Sequence, residues 1–219
     1  MTADWFKLAE RGAGLAHKEH TNIAQKWLDK LLSHYSHPTR HYHSLAHIAF
    51  MLTTAERYKN QITSWDAIFY ATWFHDAIQD IKGNNEKRSA KLARLALTEL
   101  QLPKNIIDKV ATMILATQNH SFSGNSPGGK GADDNYSDIR YFLDFDLAIL
   151  ASKTSVYDHY ARQTRQEYKV PDCIYNAGRK RFLDKMLARN SIFLSEEFRH
   201  THEAQAKANL LRERECLGY

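Results

Sequence analysis

Apolar residues recur at intervals of three and four positions along most of the chain, and the strict alternation typical of strands is scarce. This period places apolar side chains on one face of a helix and therefore predicts an all-α protein. The segment TNIAQKWLDKLLSHY is an example, because Ile23, Trp27, Leu31 and Leu32 share one face. Further helices are predicted over 43–58, 63–78, 84–100, 103–117, 137–150, 154–168 and 171–187, and from about Ser195 onward.

Two stretches depart from this amphipathic pattern. The segment TSWDAIFYATWFHDAI is apolar nearly all round, which predicts a buried central helix, and Thr63 and Asp66 have the spacing of a capping box at its start. The segment from Ser121 to Asp138 holds four of the nine glycines and one of the four prolines, so it is predicted to be a loop. Whether this loop covers a site or is merely disordered stays open. We expect one domain over 1–219, with C-terminal helices over 151–219.

Composition narrows the class of protein. The net charge of +5 and pI of about 9.1 suit an anionic small-molecule substrate, while the absence of long basic blocks and base-stacking motifs argues against nucleic acid. Cys173 and Cys216 form no C-x-x-C pattern, so we expect no disulfide framework. No secretory signal or apolar run of about 18–20 residues is present, which predicts a cytoplasmic protein without membrane spans. The oligomeric state is left open.

Histidines and aspartates occur at several positions that suit a metal site. His43 and His47 in RHYHSLAHI are one helical turn apart and would share a face. His75 and Asp76 form an adjacent pair inside an apolar segment, where a charged carboxylate is costly unless a metal ion or a cation pairs with it. A His-Asp hydrogen bond in the core is the alternative for that segment alone.

A further segment, YFLDFDLAIL, carries Asp144 and Asp146 on an apolar helix. Residues two apart on a helix point in different directions, so we expect only one of them to join the site. Imidazole and carboxylate ligands suit Mn, Fe, Co, Ni or Zn, with Mg possible, as one or two ions. The absence of cysteine from these segments argues against a structural zinc knot.

In this order, the segments HYHSLAHI, WFHDAIQD, NNEKRSA and FLDFDLAIL resemble a bacterial subgroup of the HD superfamily of metal-dependent phosphohydrolases. Proteins of this superfamily are all-helical and are named for the adjacent His-Asp pair. The resemblance runs from about residue 40 to residue 150, and the C-terminal helices look like an extension seen in that subgroup. It implies the metal ligands His47, His75, Asp76 and Asp146, since DLAIL matches the end of the pattern, with Asp144 as the alternative.

The first segment also looks like the H-x-x-x-H element of cyclic-nucleotide phosphodiesterases, which implies that His47 binds metal and His43 acts as general acid. In the alternative H-S-x-x-V register, His43 is the ligand. Asp80, four residues after Asp76, is expected to face the same water as a catalytic residue. The stretch HDAIQD resembles the HDxxED segment of alarmone hydrolases, but Gln79 replaces the glutamate and argues against alarmone hydrolysis.

The implied reaction is hydrolysis of a phosphomonoester or phosphodiester of nucleotide size by a metal-activated water. Arg40 and His120 are the expected substrate contacts, although His120 is also a candidate second-metal ligand or a plain helix-end residue. Three rival interpretations are a non-catalytic metal- or nucleotide-binding regulator, a di-iron oxygenase that lacks one of its ligands, and a helical interaction protein with core histidines.

Other residues are given weaker roles. Glu86 is interpreted as a helix cap rather than a catalyst, and Tyr157, Tyr160 and Tyr168 as packing residues. His34, His37 and His41 are expected to have no functional role. Further phosphate-binding candidates are Lys87, Arg88, Arg140 and Arg179.

Overall fold

The computed structural model describes residues 1–11, 17–80, 83–122 and 134–217. Within these ranges the chain forms ten α-helices and no strand, which confirms the predicted all-α bundle. Two short 3₁₀ helices cover Lys59–Gln61 and Ala148–Ala151. The α-helices are α1 (Thr2–Ala9), α2 (His17–Tyr35), α3 (Leu45–Arg57), α4 (Trp65–Phe74), α5 (Asn85–Glu99), α6 (Lys104–Ala116), α7 (Asp134–Leu147), α8 (Thr154–Glu167), α9 (Asp172–Leu187) and α10 (Glu196–Cys216).

Helix α4 lies at the centre of the bundle, as its apolar composition predicts. Every residue from Ala67 to Phe74 is buried, and the helix packs against α3, α5, α6 and α7. Trp5 of α1 contacts Tyr70 and Trp73 edge-on, with ring centroids 5.6 and 5.8 Å apart. Because α4 is fixed on all sides, the residues that follow its end are held in a defined position.

The ends of three predicted helices differ from the expectation. Helix α4 ends at Phe74, so His75 is its C-cap in helical backbone geometry and Asp76 lies in the following turn. Helix α3 begins at Leu45 after the N-cap Ser44, which leaves His43 in the preceding turn. Helix α7 begins at Asp134, inside the stretch 121–138 that was predicted to be a loop. Residues 123–133 of that stretch lie outside the described residues.

The predicted capping box at the start of α4 is not formed. The Asp66 carboxylate pairs instead with Arg11, at 2.6 Å. The backbone N–H groups of Thr63 and Ser64 donate to the buried carboxylate of Asp138, at 2.8 and 2.9 Å. A residue from α7 therefore caps α4, and this contact ties the two helices together at the end away from His75.

The C-terminal helices pack on the 3₁₀ segment that follows α7. Asn209 of α10 donates to the carbonyl oxygens of Leu150 and Ser152, at 2.9 and 2.8 Å. In α9, the guanidinium of Arg179 forms a two-point ion pair with Glu213 of α10. The buried apolar side chains form one cluster from α1 to α10.

Among the described helices, none combines the length and apolarity needed to cross a membrane. Cys173 and Cys216 are both exposed and form no disulfide with each other.

Candidate metal centre

Three side chains from different helices bring metal-ligand atoms to one point. His47 lies in the first turn of α3, His75 follows α4, and Asp146 is the penultimate residue of α7. The Nε2 atom of His47 is 3.2 Å from Nε2 of His75 and 3.2 Å from Oδ1 of Asp146. The Nε2 atom of His75 is 3.7 Å from the same oxygen. In the described part of the chain, these residues form a group that could hold a metal ion.

The distances between these nitrogen and oxygen atoms match those expected between the ligands of one metal ion. Nitrogen and oxygen ligands lie about 2.0–2.2 Å from such a metal, so neighbouring ligand atoms in tetrahedral or octahedral geometry are about 3.0–3.5 Å apart. The three separations between His47, His75 and Asp146 are close to that range. Asp76 adds a carboxylate oxygen 3.1 Å from Nε2 of His75. Three of the four predicted ligands, His47, His75 and Asp146, therefore lie together, and Asp76 contacts the group on its His75 side.

The hydrogen bonding of His75 favours metal binding through Nε2. Its Nδ1 atom lies 2.9 Å from the carbonyl oxygen of Thr72, an acceptor, so Nδ1 carries the hydrogen in the neutral ring. The lone pair is then on Nε2, which faces His47 and Asp146. His47 also directs Nε2 to the group, while its buried Nδ1 has no hydrogen-bond partner. Both rings thus present the nitrogen that a ligand needs.

The pKa values of the histidines and aspartates at this site depart from their ordinary values. Burial opposes protonation of His75, but the carboxylates of Asp76 and Asp146 outweigh it and raise its pKa to about 9. Burial lowers the pKa of His47. The pKa of Asp76 is lowered because His75 and His43 outweigh the effect of burial. The pKa of Asp146 is likewise lowered, by hydrogen bonds from His120 and His47 against burial. A cation that bound here would replace the His75 proton as the partner of these carboxylates.

His43 lies beside this group without belonging to it. Its Nε2 atom is 3.9 Å from Oδ2 of Asp76, and its ring centroid is 5.9 Å from that of His47. Its Nδ1 atom lies 2.5 Å from Oε2 of Glu167. Burial lowers the pKa of His43, but Asp76 and Glu167 together outweigh it and raise the value above normal. The shift favours the protonated form of His43, which is the form that the general-acid role requires.

Glu167 is a site residue that the sequence analysis missed. Its side chain is only 2% exposed, although it lies at the C-terminal end of α8. One oxygen, Oε1, accepts the backbone N–H groups of His41, Tyr42 and His43, at 2.9, 2.8 and 2.9 Å. An acidic residue in the last turn of a helix interacts unfavourably with the helix dipole. This position was the one sign in the sequence that Glu167 has a partner elsewhere in the chain. Glu167 fixes both the turn that carries His43 and the orientation of its ring.

Arg40 anchors the same turn from the other side. Its guanidinium donates to the carbonyl oxygens of His43, Asp76 and Ala77, at 3.1, 2.6 and 3.1 Å. The guanidinium also lies over the ring of Tyr35. A cavity lies beside the metal group, and His43, Asp76 and Asp146 are among its lining residues. Arg40 does not line this cavity, so its guanidinium is not at the position expected for a phosphate contact.

Replacing Arg40 by alanine should lower the free energy of unfolding by about 2–4 kcal/mol, because three half-buried carbonyls lose a charged donor. Urea denaturation at neutral pH measures this change. The matched control is Arg88→Ala, which removes an arginine from an exposed pair with Asp80 and should cost less than about 1 kcal/mol. Equal losses in the two variants would show that Arg40 does not clamp the turn.

The structure distinguishes Asp146 from Asp144. The Asp144 carboxylate is fully buried and accepts the backbone N–H groups of Leu194 and Ser195, each at 2.7 Å. Burial raises its pKa to about 6 against these hydrogen bonds. Asp144 therefore stabilises the start of α10, and Asp146 is the member of the pair that faces the histidines.

Asp80 was expected to face the same water as Asp76 because a helix would place it one turn further along, and this expected geometry is wrong. The chain is not helical over 78–80, so Asp80 is not one helical turn beyond Asp76. Its carboxylate pairs with Arg88 at 2.9 Å, and it does not line the cavity. Glu86 lies in the first turn of α5, as a capping role requires, but it also lines the cavity.

His120 reaches the metal group from the end of α6. Its Nε2 atom is 3.0 Å from Oδ2 of Asp146, the oxygen not shared with His47, and the side chain lines the cavity.

Of the other phosphate-binding candidates, Arg179 lines the cavity and Lys87, Arg88 and Arg140 do not. Of the three tyrosines, Tyr157 is fully buried, whereas Tyr160 and Tyr168 line the cavity. His34 has a structural contact, with Nδ1 2.7 Å from the carbonyl oxygen of Ala77.

Comparison with protein-family models, with curated proteins and with solved structures finds no match for this chain.

Proposed function

We propose that this protein is a metal-dependent phosphohydrolase of the HD type, acting on a phosphomonoester or phosphodiester of nucleotide size. The observation that carries the proposal is the convergence of His47, His75 and Asp146, with Asp76 in contact with His75, in the order H…HD…D along the chain. Asp76 and Asp146 line a cavity of about 580 Å³. A cavity of this volume is within the range of small-molecule sites, roughly 300–1,000 Å³. His43 lines the same cavity and supplies the acid that such a reaction needs.

The four residues would hold a divalent ion such as Mn, Fe, Co, Ni or Zn, with Mg possible. When bound, such an ion lowers the pKa of water towards neutrality and polarises a phosphoryl oxygen. His120, whose Nε2 atom is 3.0 Å from Asp146, would contact the phosphate or a second ion. His43 donates the proton on Nε2 to the departing oxygen, while its Nδ1–H stays hydrogen-bonded to Glu167. The product ring is then a neutral tautomer with its hydrogen already on Nδ1.

The test compares metal content and phosphate release in wild type and Asp76→Ala. Elemental analysis of each purified protein is followed by assays on nucleotides, phosphodiesters and 4-nitrophenyl phosphate with added Mn²⁺, Co²⁺ or Mg²⁺. We expect wild type to bind metal and release phosphate, and Asp76→Ala to lose at least about 100-fold in activity. Asp108→Ala is the matched control, since Asp108 lies on the surface in pairs with Arg94 and Lys104.

Two outcomes would contradict the proposal. Metal binding without turnover of any phosphoester would favour a non-catalytic metal- or nucleotide-binding regulator. Turnover that Asp76→Ala retains at the level of Asp108→Ala would place the reaction elsewhere in the chain.

A further inference from the structure

The backbone of His120 has an unusual conformation at the place where its ring meets the metal group. Its φ is +44°, in the left-handed region that residues other than glycine rarely adopt. Of the residues that the structure describes, Asn84 and Gln101 are the only other non-glycine residues with positive φ, and both flank α5 instead of lining the cavity. Strained backbone persists where the surrounding structure holds it, and it is frequent at functional sites.

The sign of this φ decides where the His120 ring points. Rotation about the N–Cα bond moves the side chain relative to the preceding residues, which here come from the end of α6. At +44° the ring faces α7, with Nε2 3.0 Å from Oδ2 of Asp146, and the side chain lines the cavity. A return to the ordinary negative φ would turn the ring away from this oxygen.

Arg189, just after α9, binds the backbone on both sides of His120. Its Nη1 and Nη2 atoms donate to the carbonyl oxygens of His120 and Asn119, at 2.8 and 2.5 Å. The Asn119 carbonyl belongs to the peptide group before the Cα atom of His120, and the His120 carbonyl belongs to the peptide group after it. A planar guanidinium that binds both groups therefore fixes φ and ψ of His120.

No other partner explains the position of the guanidinium. Arg189 forms no ion pair among the described residues, and burial alone lowers its pKa. The connection over 189–195 is itself anchored, since Glu203 of α10 accepts two of its backbone N–H groups and Asp144 of α7 accepts two more. Because Asp144 and Asp146 lie on one helix, the guanidinium and the partner of the His120 ring are held to a common element.

An arginine near the end of a helix often does no more than bind the last carbonyl groups of that helix. At the end of α6, however, the carbonyls of Ile114 and Leu115 already accept backbone N–H groups. Arg189 instead binds the two carbonyls that flank the strained residue. This choice favours a role in placing the His120 ring.

We infer that Arg189 is a positioning residue, which holds the ring of His120 against Asp146 by fixing the two peptide groups around it. The inference rests on the proposed function for what the ring then contacts, a phosphate or a second ion. The positioning itself is a property of the metal-free protein. Arg189 lies outside the segments that resemble the HD superfamily and does not line the cavity, so neither the resemblance nor proximity to the cavity predicts this role.

The first test follows the His120 ring in metal-free protein by NMR of ¹⁵N-labelled histidine. His120→Gly identifies the His120 signals by their absence. Arg189→Ala should shift these signals towards their positions in Asp146→Ala, because the ring loses the same partner in both variants. The signals of His20, which is buried against the carbonyl oxygen of Leu100, should stay in place. Wild-type positions of the His120 signals in Arg189→Ala would overturn the inference.

The second test is a double-mutant cycle on the hydrolysis of 4-nitrophenyl phosphate with Mn²⁺. Arg189→Ala should lower kcat/KM by about 10-fold or more, since the loss of a residue that supports a site residue costs roughly 10–100-fold. His120→Gly removes the ring, and glycine adopts positive φ without strain. In that background Arg189→Ala should have no further effect. An undiminished loss there would show that Arg189 acts by another route and would overturn the inference.

Arg214→Ala is the matched control, because Arg214 pairs with Asp184 of α9 and does not line the cavity. It should keep wild-type His120 signals and rates, and a shift equal to that in Arg189→Ala would overturn the inference. Arg189→Lys keeps the charge without the planar fork, so its His120 signals should lie between those of wild type and Arg189→Ala. It also provides the test if Arg189→Ala does not fold.

The two tests separate this inference from the proposed function. A displaced His120 ring in Arg189→Ala, without phosphate release by any form of the protein, would support the positioning role and contradict the phosphohydrolase. Normal phosphate release in Arg189→Ala, with the ring undisplaced, would support the phosphohydrolase and overturn the positioning role.

Discussion

Asp146→Ala is expected to weaken binding of Mn²⁺, Co²⁺ or Zn²⁺ by more than about 100-fold and to abolish phosphate release. Loss of residues that only support a ligand costs roughly 10–100-fold in metal affinity, and loss of a ligand should cost more. The effect should be large here because Asp146 contacts both sides of the site, with one oxygen near His47 and the other near His120. Calorimetric titration with metal and elemental analysis after dialysis measure the change.

Asp144→Asn is the matched control, two residues earlier on the same helix. Its carboxylate accepts two backbone N–H groups at the start of α10, and an amide can accept only with its oxygen. We expect a loss of about 1–3 kcal/mol in the free energy of unfolding, with unchanged metal affinity in the folded protein. If Asp144→Asn loses metal and Asp146→Ala keeps it, the assignment of the two aspartates is reversed.

Glu167→Ala should destabilise the protein by about 3–5 kcal/mol and impair the acid role of His43. The change leaves three backbone N–H groups of the turn over 41–43 without their acceptor and removes the buried partner of the His43 ring. Urea denaturation measures the stability. Phosphate release as a function of pH measures the second effect, because His43 should then lose its proton at lower pH.

Glu167→Gln isolates the charge of this residue, because the amide oxygen can still accept from the backbone. In wild type, burial raises the pKa of Glu167, but its hydrogen bond and ion pair with His43 outweigh this and lower the value to about 2, against an ordinary 4.5. A depressed pKa contributes stability that is present above pH 4.5 and is lost as the pH falls towards 2. The difference corresponds to about 3 kcal/mol.

The free energy of unfolding of Glu167→Gln should therefore fall less than that of wild type as the pH is lowered from 4.5 towards 2. Unfolding curves between pH 2 and pH 7 measure this difference. An unfolding profile that depends on pH as in wild type would show that Glu167 is not held ionised in the folded state.

Much of the fold follows from local patterns that act over a few turns of chain. The apolar period predicts the helices, and the nearly continuous apolar surface of α4 correctly predicts its central position. The capping box at Thr63 and Asp66 fails because two distant residues, Arg11 and Asp138, compete for the same groups. Local spacing could not reveal this competition, since both partners are more than 50 residues away.

The sequence by itself determined the helical class and the residue types of the site, because amphipathic periodicity and the chemistry of histidine and aspartate are local properties. Only the tertiary structure decided which of Asp144 and Asp146 faces the histidines, since that depends on where α10 begins. Only it brought Glu167 to His43, across 124 residues, and Arg189 to the carbonyl groups on either side of His120. Contacts between distant segments depend on how whole helices pack, and no short stretch of sequence encodes that packing.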